Sequence, residues 1–526
     1  MLTRSRSADG ACALLLALSV LTLRILGIGQ APFTDEGNYI AFAWYPWIHP
    51  WSPLPYACAN SNVNLYPTLL AWLFAMGGNP VLPFRAADAI LMACCGIVFF
   101  ALLRQLANRA VALGACLVWL LAFNHPLFTN AGFKNPYAPG FLCILLAAYL
   151  STCDAAPRRA AVAGALLGIT FLLREPLIVF AAPVLILLVR KGDRRAAVWF
   201  VLACVTTIVL GIGGLGIVRG GRPLDNAHAV LEGWFRLSRM YRTLVQVDTI
   251  HLAAHRRMEI LSTFDVVAWA VPFWLAGFAV CGRLLRRCPA LRTSIGVALL
   301  AVLVPLPEFF LKLGFFYHLS AAFFGLSALA AIAFQHLCAA RKGLAVVIAS
   351  LVLVAGFLVP ATTGGTSALR WWSGVRHAHD VSRRFWPVIV RDDCSDPAVQ
   401  DSFYLDAASR IRQHSDADDR IMVSGFYAVL YPLAQRAPAD LGVADLSTFV
   451  MSRDLRLSQG DRDRIQRARP VLFVETNRFP SMNLRGCFNR FDEVYREVDH
   501  VDTGKRHYGH YGCRIWKRRD TQESAE

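Results

Sequence analysis

Eleven apolar runs follow one another through the first two thirds of the chain, and they constrain its fold more than any other feature. Most are close to the ~17–25 residues that a helix needs to cross the ~30 Å hydrocarbon core of a bilayer, and a couple are shorter. With 56% hydrophobic and only 17% charged residues, the chain is too apolar for a soluble globular protein. The sequence therefore predicts an α-helical polytopic membrane domain with about eleven transmembrane helices. The runs lie at about 11–29, 84–103, 110–128, 137–151, 160–173, 177–189, 196–218, 264–282, 293–310, 316–337 and 343–361.

Lysine and arginine residues in the short connections indicate the orientation of these spans, because such loops carry most positive charge on the cytoplasmic side. We therefore expect a cytoplasmic N-terminus, with the other set of connections and the tail outside. The outer segments contain no Asn-x-Ser/Thr sequon, which favours a bacterial inner membrane. The basic connections hold Arg4 and Arg6, Arg104 and Arg109, Arg158 and Arg159, 190–195, 283–292 and 341–342.

The net charge of +17 has the same explanation, since much of the excess lies in the predicted cytoplasmic loops. No zinc-finger, P-loop or other phosphate-cradling motif is present, so neither a nucleic-acid partner nor a nucleotide-dependent reaction is favoured. The first 31 residues also have the layout of a cleaved signal peptide, but Arg24 interrupts their apolar run. We therefore expect a first membrane span there.

The residues after the last apolar run are polar enough to form a soluble domain. We place the joint at "TTGGTS", which gives a membrane domain over 1–362 and a small extracytoplasmic α/β domain over 363–526. Cys487 and Cys513 could form a disulfide there, although sequence alone does not give connectivity. In the tail, the residue patterns predict helices over 401–414 and 460–468 and short buried strands over 420–425 and 469–476.

Two adjacent acids, Asp35 and Glu36, follow the first apolar run in "APFTDEGNY". They suit the first turn of a helix capped by Thr34, where carboxylates are favoured by unpaired N–H groups and the helix dipole. Capping does not explain Gly37, which weakens a helix, nor the long loop 30–83, which is rich in aromatic residues and proline. Such a loop suits the membrane interface, where it could bring a carboxylate to the depth of a lipid headgroup.

The acid pair is the first of several stretches that together resemble a known family. They are "DEGNY", "NLYPTLLAWLFAMGG", "VLPFRAADAILMACCGIVFFALLRQL", "GITFLLREPLIVFAAPVLIL" and "KLGFFYHLSAAFFGLSALA", in this order. The sequence resembles the GT-C superfamily of polyprenol-phosphate-sugar-dependent glycosyltransferases, and its nearest branch resembles the protein mannosyltransferases and the aminoarabinose transferases. The resemblance covers most of the membrane domain, while the tail fits in layout only. It implies inverting transfer of a sugar from a polyprenyl phosphate to an extracytoplasmic lipid, glycan or protein.

The resemblance also implies roles for individual residues. Asp35 matches the position of the general base that takes the acceptor's proton, and Glu36 would support it. Cations at the outer ends of spans would hold the donor phosphate, although each could instead be an anchor that extends to the interface. Lys312 is favoured among these cations, and Glu175 is an alternative partner for Arg174. The expected phosphate ligands are Lys312, Arg85, Arg174 and Lys134, and the expected substrate-binding residues are Tyr39, Tyr66, Tyr317 and His318.

Two departures from the family pattern narrow these expectations. Many relatives carry a second acid in the outer loop before the fourth span, whereas 124–141 has none and contains Lys134 and Asn135 instead. A divalent metal is therefore not favoured, and no other cofactor is expected. The aminoarabinose transferases carry a basic residue near the position of 63–67, which this chain lacks, and this disfavours lipid A as the acceptor.

Other functional classes remain as alternatives. A transporter or flippase of lipid-linked glycans would place ionisable groups near the middle of its spans, whereas here the charges gather at span ends. A glycan polymerase or ligase would be expected to depend on arginines of the outer loops more than on an acid pair beside the first span. A membrane anchor for the tail would need only one span.

Overall fold

The chain forms two compact units. The first, the helical unit, comprises Met1–Gly27, Ala86–Gly211 and Asp248–Asp380, and the second, the mixed unit, comprises Ile28–Arg85, Ile212–Val247 and Val381–Glu526. The predicted boundary at 362 stays a prediction. The computed structural model describes residues 6–26, 65–66, 69, 81–124, 137–153, 156–190, 194–218, 222–224, 227–228, 230–231, 267–311, 319–340, 342–359, 366, 368–373, 375–376, 379–380, 403–424, 430–439, 463, 466–476, 485, 488, 490–506 and 509–521.

Helices follow the predicted spans in order along the chain, which confirms the predicted helical polytopic architecture. In the described part, five segments are long and apolar enough to cross a membrane, namely Ser7–Leu26, Phe84–Leu106, Arg194–Ile217, Pro289–Glu308 and Ala322–Ala340. The helices are α1 (Arg6–Leu26), α2 (Val81–Leu106), α3 (Arg109–Phe123), α4 (Tyr137–Cys153), α5 (Pro157–Leu173), α6 (Ala181–Arg190), α7 (Arg194–Val218), α8 (Val271–Arg287), α9 (Arg292–Leu303), α10 (Leu306–Leu311), α11 (Ala322–Ala340) and α12 (Lys342–Leu358).

Two prolines explain two of the departures from the predicted spans. The run predicted over 293–310 is divided into α9 and α10 at Pro305, which has no N–H to continue the helical hydrogen bonds. The run predicted over 177–189 begins as a 3-10 turn, Glu175–Phe180, with Pro176 in its first positions, and becomes α-helical only at Ala181. Both departures are local, and the order of the helices is unaffected.

Aromatic side chains fill the centre of the helical unit. Trp119 of α3 is fully buried and stacks on Phe324 of α11, with 4.9 Å between ring centroids. Phe99 of α2 meets the Trp119 ring edge-on at 5.3 Å. Such aromatic pairs contribute about 0.5–1.5 kcal/mol each beyond the area they bury. Helix α11, which is distant in the sequence, is thus packed with the consecutive helices α2 and α3 on one aromatic centre.

Close contact between α5 and α7 depends on Gly164. A Cβ atom added to Gly164 would lie 2.0 Å from the carbonyl oxygen of Phe200, so even alanine would force the helices apart. We expect Gly164→Ala to lower the free energy of unfolding by about 1–3 kcal/mol, the usual cost of overpacking. Thermal unfolding of the detergent-solubilised protein measures the change. Gly114→Ala is the matched control, because a Cβ atom there meets no other atom within 4 Å; an equal loss of stability in both variants would contradict the prediction.

The tail of the mixed unit contains a five-stranded sheet with the strand order β2-β1-β3-β5-β4. The first three of these strands are parallel, and β5 pairs antiparallel with both β3 and β4. The sequence prediction is confirmed for two strands and for the helix α13 (Phe403–Gln413), while the β4–β5 hairpin was not predicted. The strands are β1 (Arg420–Ser424), β2 (Ala437–Pro438), β3 (Leu472–Thr476), β4 (Tyr495–Arg506) and β5 (Gly509–Arg518).

Alternating side chains give this sheet two buried faces. Val423 and Val474 pack with Ile411 of α13 on one face, while Phe473 and Trp516 pack together on the other. Cys513 of β5 is buried, and its thiol is free in this structure; Cys487, its suggested disulfide partner, lies outside the described residues. Burial raises the pKa of the Cys513 thiol to about 12, which keeps it protonated and unreactive at neutral pH.

Candidate functional site

Buried polar side chains gather at one end of the helices in the helical unit. Helices α1, α3 and α5 finish at this end, and α2 and α4 begin there, as expected for consecutive helices that alternate in direction. It is the end predicted to be extracytoplasmic. The polar side chains form two groups, which we call the Arg24 cluster (Arg24, Asp88 and Asn124) and the Arg174 cluster (Arg174, Glu308 and Tyr137).

The Arg24 cluster ties three helices together. The Arg24 Nη1 donates a hydrogen bond to Oδ2 of Asp88 on α2, which makes a buried ion pair. The Nε of the same side chain donates to Oδ1 of Asn124, the C-cap of α3, at 2.9 Å. Asn124 is fully buried, and its own Nδ2 donates to the carbonyl oxygen of Leu120 at 3.0 Å. Both partners of Arg24 are therefore held in place, Asp88 by its position on α2 and Asn124 by its hydrogen bond to Leu120.

The Arg174 cluster joins the end of α5 to α10. Arg174 is the C-cap of α5 with an extended backbone, and its Nη2 donates to Oε1 of Glu308 at 2.8 Å. The guanidinium also lies over the Tyr137 ring, with 4.3 Å between Cζ and the ring centroid. Both charged side chains are largely buried, so the attraction between them is little screened by water. The structure thus gives Arg174 a partner on another helix, Glu308, that the sequence did not indicate.

Aromatic rings connect the two clusters. Phe123, next to Asn124, contacts Phe141 edge-on, and Phe141 in turn contacts Tyr137, with centroid separations of 5.6 and 5.3 Å. The end of the helical unit is therefore a continuous layer of paired charges and aromatic rings.

The other end of the same helices carries an ionic contact of a different character. Asp9 of α1 accepts hydrogen bonds from Arg104 of α2 at 3.2 Å and from Arg109 of α3 at 2.8 Å. These side chains are partly exposed. Two of the arginines from which the cytoplasmic side was predicted are thus partly neutralised by Asp9.

Two further predicted site residues lie in the mixed unit, at or before the start of α2. Arg85 is buried in the first turns of this helix, and Tyr66 is buried with its ring edge-on to Phe84 at 6.0 Å. Arg174, Arg85 and Tyr66 are the predicted site residues that the structure describes. The other predicted residues lie outside the described residues: Asp35, Glu36, Tyr39, Lys134, Lys312, Tyr317 and His318. Among the described residues, no group of three or more His, Cys, Asp or Glu side chains could hold a metal ion.

Comparison with known proteins identifies the class of fold. Residues 65–212 match the family described as dolichyl-phosphate-mannose-protein mannosyltransferase. No curated protein sequence matches the chain significantly. Among solved structures, an Archaeoglobus fulgidus oligosaccharyltransferase tethered to an acceptor peptide aligns over 94% of this chain and 72% of its own, with 13% identity and a TM-score of 0.51.

The chain has the GT-C fold. The resemblance to GT-C proteins seen in the sequence is thereby confirmed. ArnT from Cupriavidus metallidurans also aligns, over 97% of this chain and 98% of its own, with 14% identity and a TM-score of 0.47. An arabinosyltransferase from Mycobacterium smegmatis, EmbB, aligns over 72% of this chain and 37% of its own, with 15% identity and a TM-score of 0.42.

Three residues of the GT-C helical unit were not expected from the sequence as parts of a site: Asp88, Asn124 and Glu308. Asp88 and Glu308 each stand in or beside a predicted membrane span, where an ionisable residue is costly unless it has a partner. This is the signal that could have identified them. The sequence could not have supplied the partner, because Arg24 is 64 residues from Asp88 and Arg174 is 134 residues from Glu308.

Proposed function

We propose that this protein is an inverting glycosyltransferase of the membrane that moves a sugar from a polyprenyl phosphate to an extracytoplasmic acceptor. The observation that carries the proposal is the match of residues 65–212 to a family whose description names a dolichyl-phosphate sugar as donor. The GT-C fold and the layer of paired charges at the end predicted to be outside support it.

The proposed reaction is a single displacement. A hydroxyl oxygen of the acceptor attacks C1 of the donor sugar, and the bond between C1 and the phosphate oxygen breaks. Asp35 takes the hydroxyl proton as general base, and Glu36 orients the acceptor or supports Asp35. The polyprenyl phosphate leaves with the bonding electrons, and the configuration at C1 is inverted. Charge builds up on the phosphate, so a nearby cation would stabilise the transition state.

We propose Lys312 as the principal cation for that phosphate. It directly follows α10, and Glu308 ties α10 to Arg174, so the ion pair supports the start of the segment that carries Lys312. The charge of Arg174 is already balanced by Glu308, so we expect Arg174 to attract the donor phosphate less strongly than Lys312 does. Arg85 and Lys134 remain supplementary ligands in this proposal, and Tyr39, Tyr66, Tyr317 and His318 contact the sugar or acceptor.

Membranes that contain the wild-type protein, incubated with a panel of radiolabelled polyprenyl-phosphate sugars, test the proposal. We expect release of the sugar from one donor and its appearance in an acceptor fraction. Lys312→Ala is expected to lower that transfer by about 10²–10³-fold, the typical cost of removing one group that stabilises transition-state charge. Lys342→Ala is the matched control, since Lys342 begins α12 at the end predicted to be cytoplasmic.

The other outcomes are also informative. Equal donor kinetics in the wild type and Lys312→Ala would return Lys312 to the role of an interfacial anchor. If the wild type consumes no donor while a labelled lipid changes leaflet, the protein is a flippase and the proposal is wrong.

A further inference from the structure

The Arg24 cluster has no part in the proposed chemistry, yet it keeps a charge pair inside the helical unit. An arginine near the end of a membrane helix can extend its side chain to the interface at low cost. Arg24 is two residues from the end of α1 at Leu26, but it is only 7% exposed. Its guanidinium is directed inward to Asp88 and Asn124 and not toward the interface. The Arg24 guanidinium is therefore bound to specific partners inside the helical unit and is not solvated at the interface.

The geometry of these contacts fixes the end of α1 in rotation and in depth. A guanidinium group is planar, so two of its nitrogens can donate to two acceptors only in a narrow range of orientations. Here Nη1 donates to α2 and Nε to the cap of α3. Turning α1 about its axis, or sliding it by one residue, would break both hydrogen bonds and leave charges buried.

The chain leaves α1 directly after these contacts, and Asp35 follows Arg24 by eleven residues. We infer that Arg24, Asp88 and Asn124 form a positioning cluster that sets the end of α1 and so fixes where Asp35 and Glu36 meet the substrates. The inference rests on the proposed function for the role of Asp35. Buried ion pairs are often replaceable by apolar residues without loss of stability, so specification of one arrangement is the better account of this one.

The opposite end of α1 provides a matched control. Asp9 also joins α1 to α2 and α3, through Arg104 and Arg109. A change at Asp9 therefore loosens the same three helices at the end distant from Asp35. Loss of activity through general loosening would follow from a change at either end, whereas loss through positioning would follow only from a change in the Arg24 cluster.

The test uses the full-length protein with Arg24→Met combined with Asp88→Leu, so that no unpaired charge stays buried. We expect this variant to accumulate and to unfold near the wild-type temperature. Its kcat with the donor identified for the wild type is expected to fall by about 10–10²-fold, because small misplacements of reacting groups are that costly. The KM for the donor is expected to stay within about twofold, because the proposed phosphate ligands are unchanged. Asp9→Asn is expected to keep the wild-type kcat.

Hydrogen–deuterium exchange provides a second readout that needs no substrate. Amides in 27–40 are expected to exchange about threefold or more faster in the double variant than in the wild type, with no change in 403–424. Unchanged kcat and unchanged exchange would overturn the inference, and so would an equal loss of kcat in Asp9→Asn. If the wild type turns over no donor, the proposed function fails, and exchange over 27–40 alone decides whether the cluster positions this segment.

Discussion

Asp35→Asn is expected to lower the rate of sugar transfer by about 10²–10⁴-fold, the usual contribution of a general base, without reducing the amount of protein in the membrane. Asparagine has nearly the same shape as aspartate, so besides the ability to accept a proton the substitution removes only a first-turn charge, which contributes about 0.3–1 kcal/mol to a helix. Radiolabel released from the donor by membranes of each variant gives the ratio of rates.

Glu36→Gln is the matched variant, since it removes the adjacent carboxylate. Neighbouring side chains point in different directions, so we expect a smaller loss than for Asp35→Asn. Transfer at the wild-type rate by Asp35→Asn would mean that the acid pair only caps a helix, and the assignment of the base would have to be abandoned. A larger loss in Glu36→Gln would exchange the roles of the two acids.

Much of the helical architecture could be predicted because the signal for a membrane span is local. The apolar run at 137–151 becomes α4, Tyr137–Cys153, and the run at 84–103 lies within α2, Val81–Leu106. A span needs a sufficient length of apolar residues and little else, so a single sequence reveals it. The break between α9 and α10 at Pro305 was not predicted, because the run over 293–310 was expected to be one span.

The polar layer could not be predicted, because it depends on which helices become neighbours. Arg24 was noted as an interruption of the first apolar run, but its partners lie on α2 and at the end of α3. The pattern of apolar residues indicates that helices form and says little about their rotation, which decides whether Arg24 meets Asp88. Asn124 lies in the run predicted over 110–128 and Glu308 in the run predicted over 293–310, but the partner of each is unknown until this packing is known.

The β4–β5 hairpin of the tail was missed for a different reason. Alternation of apolar and polar residues identifies a strand only where its register is regular. The pairing of β4 with β5 shifts between Glu497 and Asp499 and again between Asp502 and Lys505, so the alternation is interrupted twice. The strand predicted over 469–476 pairs regularly with its neighbours from Leu472 to Thr476, and it was recognised.

Glu308→Gln is expected to lower the free energy of unfolding by about 3–5 kcal/mol, the typical cost of breaking a buried ion pair from one side. The substitution removes the negative charge that lies 2.8 Å from the Arg174 guanidinium. Both side chains are largely buried, so water can replace little of the lost attraction. Thermal unfolding of the solubilised protein measures the loss, and the double variant Arg174→Met with Glu308→Leu is expected to recover most of it.

Glu493→Gln provides the comparison with an exposed pair. Glu493 and Arg490 are 3.4 Å apart with both side chains mostly in solvent, and such pairs contribute only about 0–1 kcal/mol. The ratio of the two losses measures the effect of burial. The donor KM of Glu308→Gln, measured beside its stability, separates two roles for Arg174. If the Arg174–Glu308 pair is structural, Glu308→Gln is less stable than the wild type and its donor KM is unchanged. A phosphate ligand restrained by Glu308 would instead bind the donor more tightly once the acid is neutral, with little change in stability, and that result would restore Arg174 as a principal donor ligand.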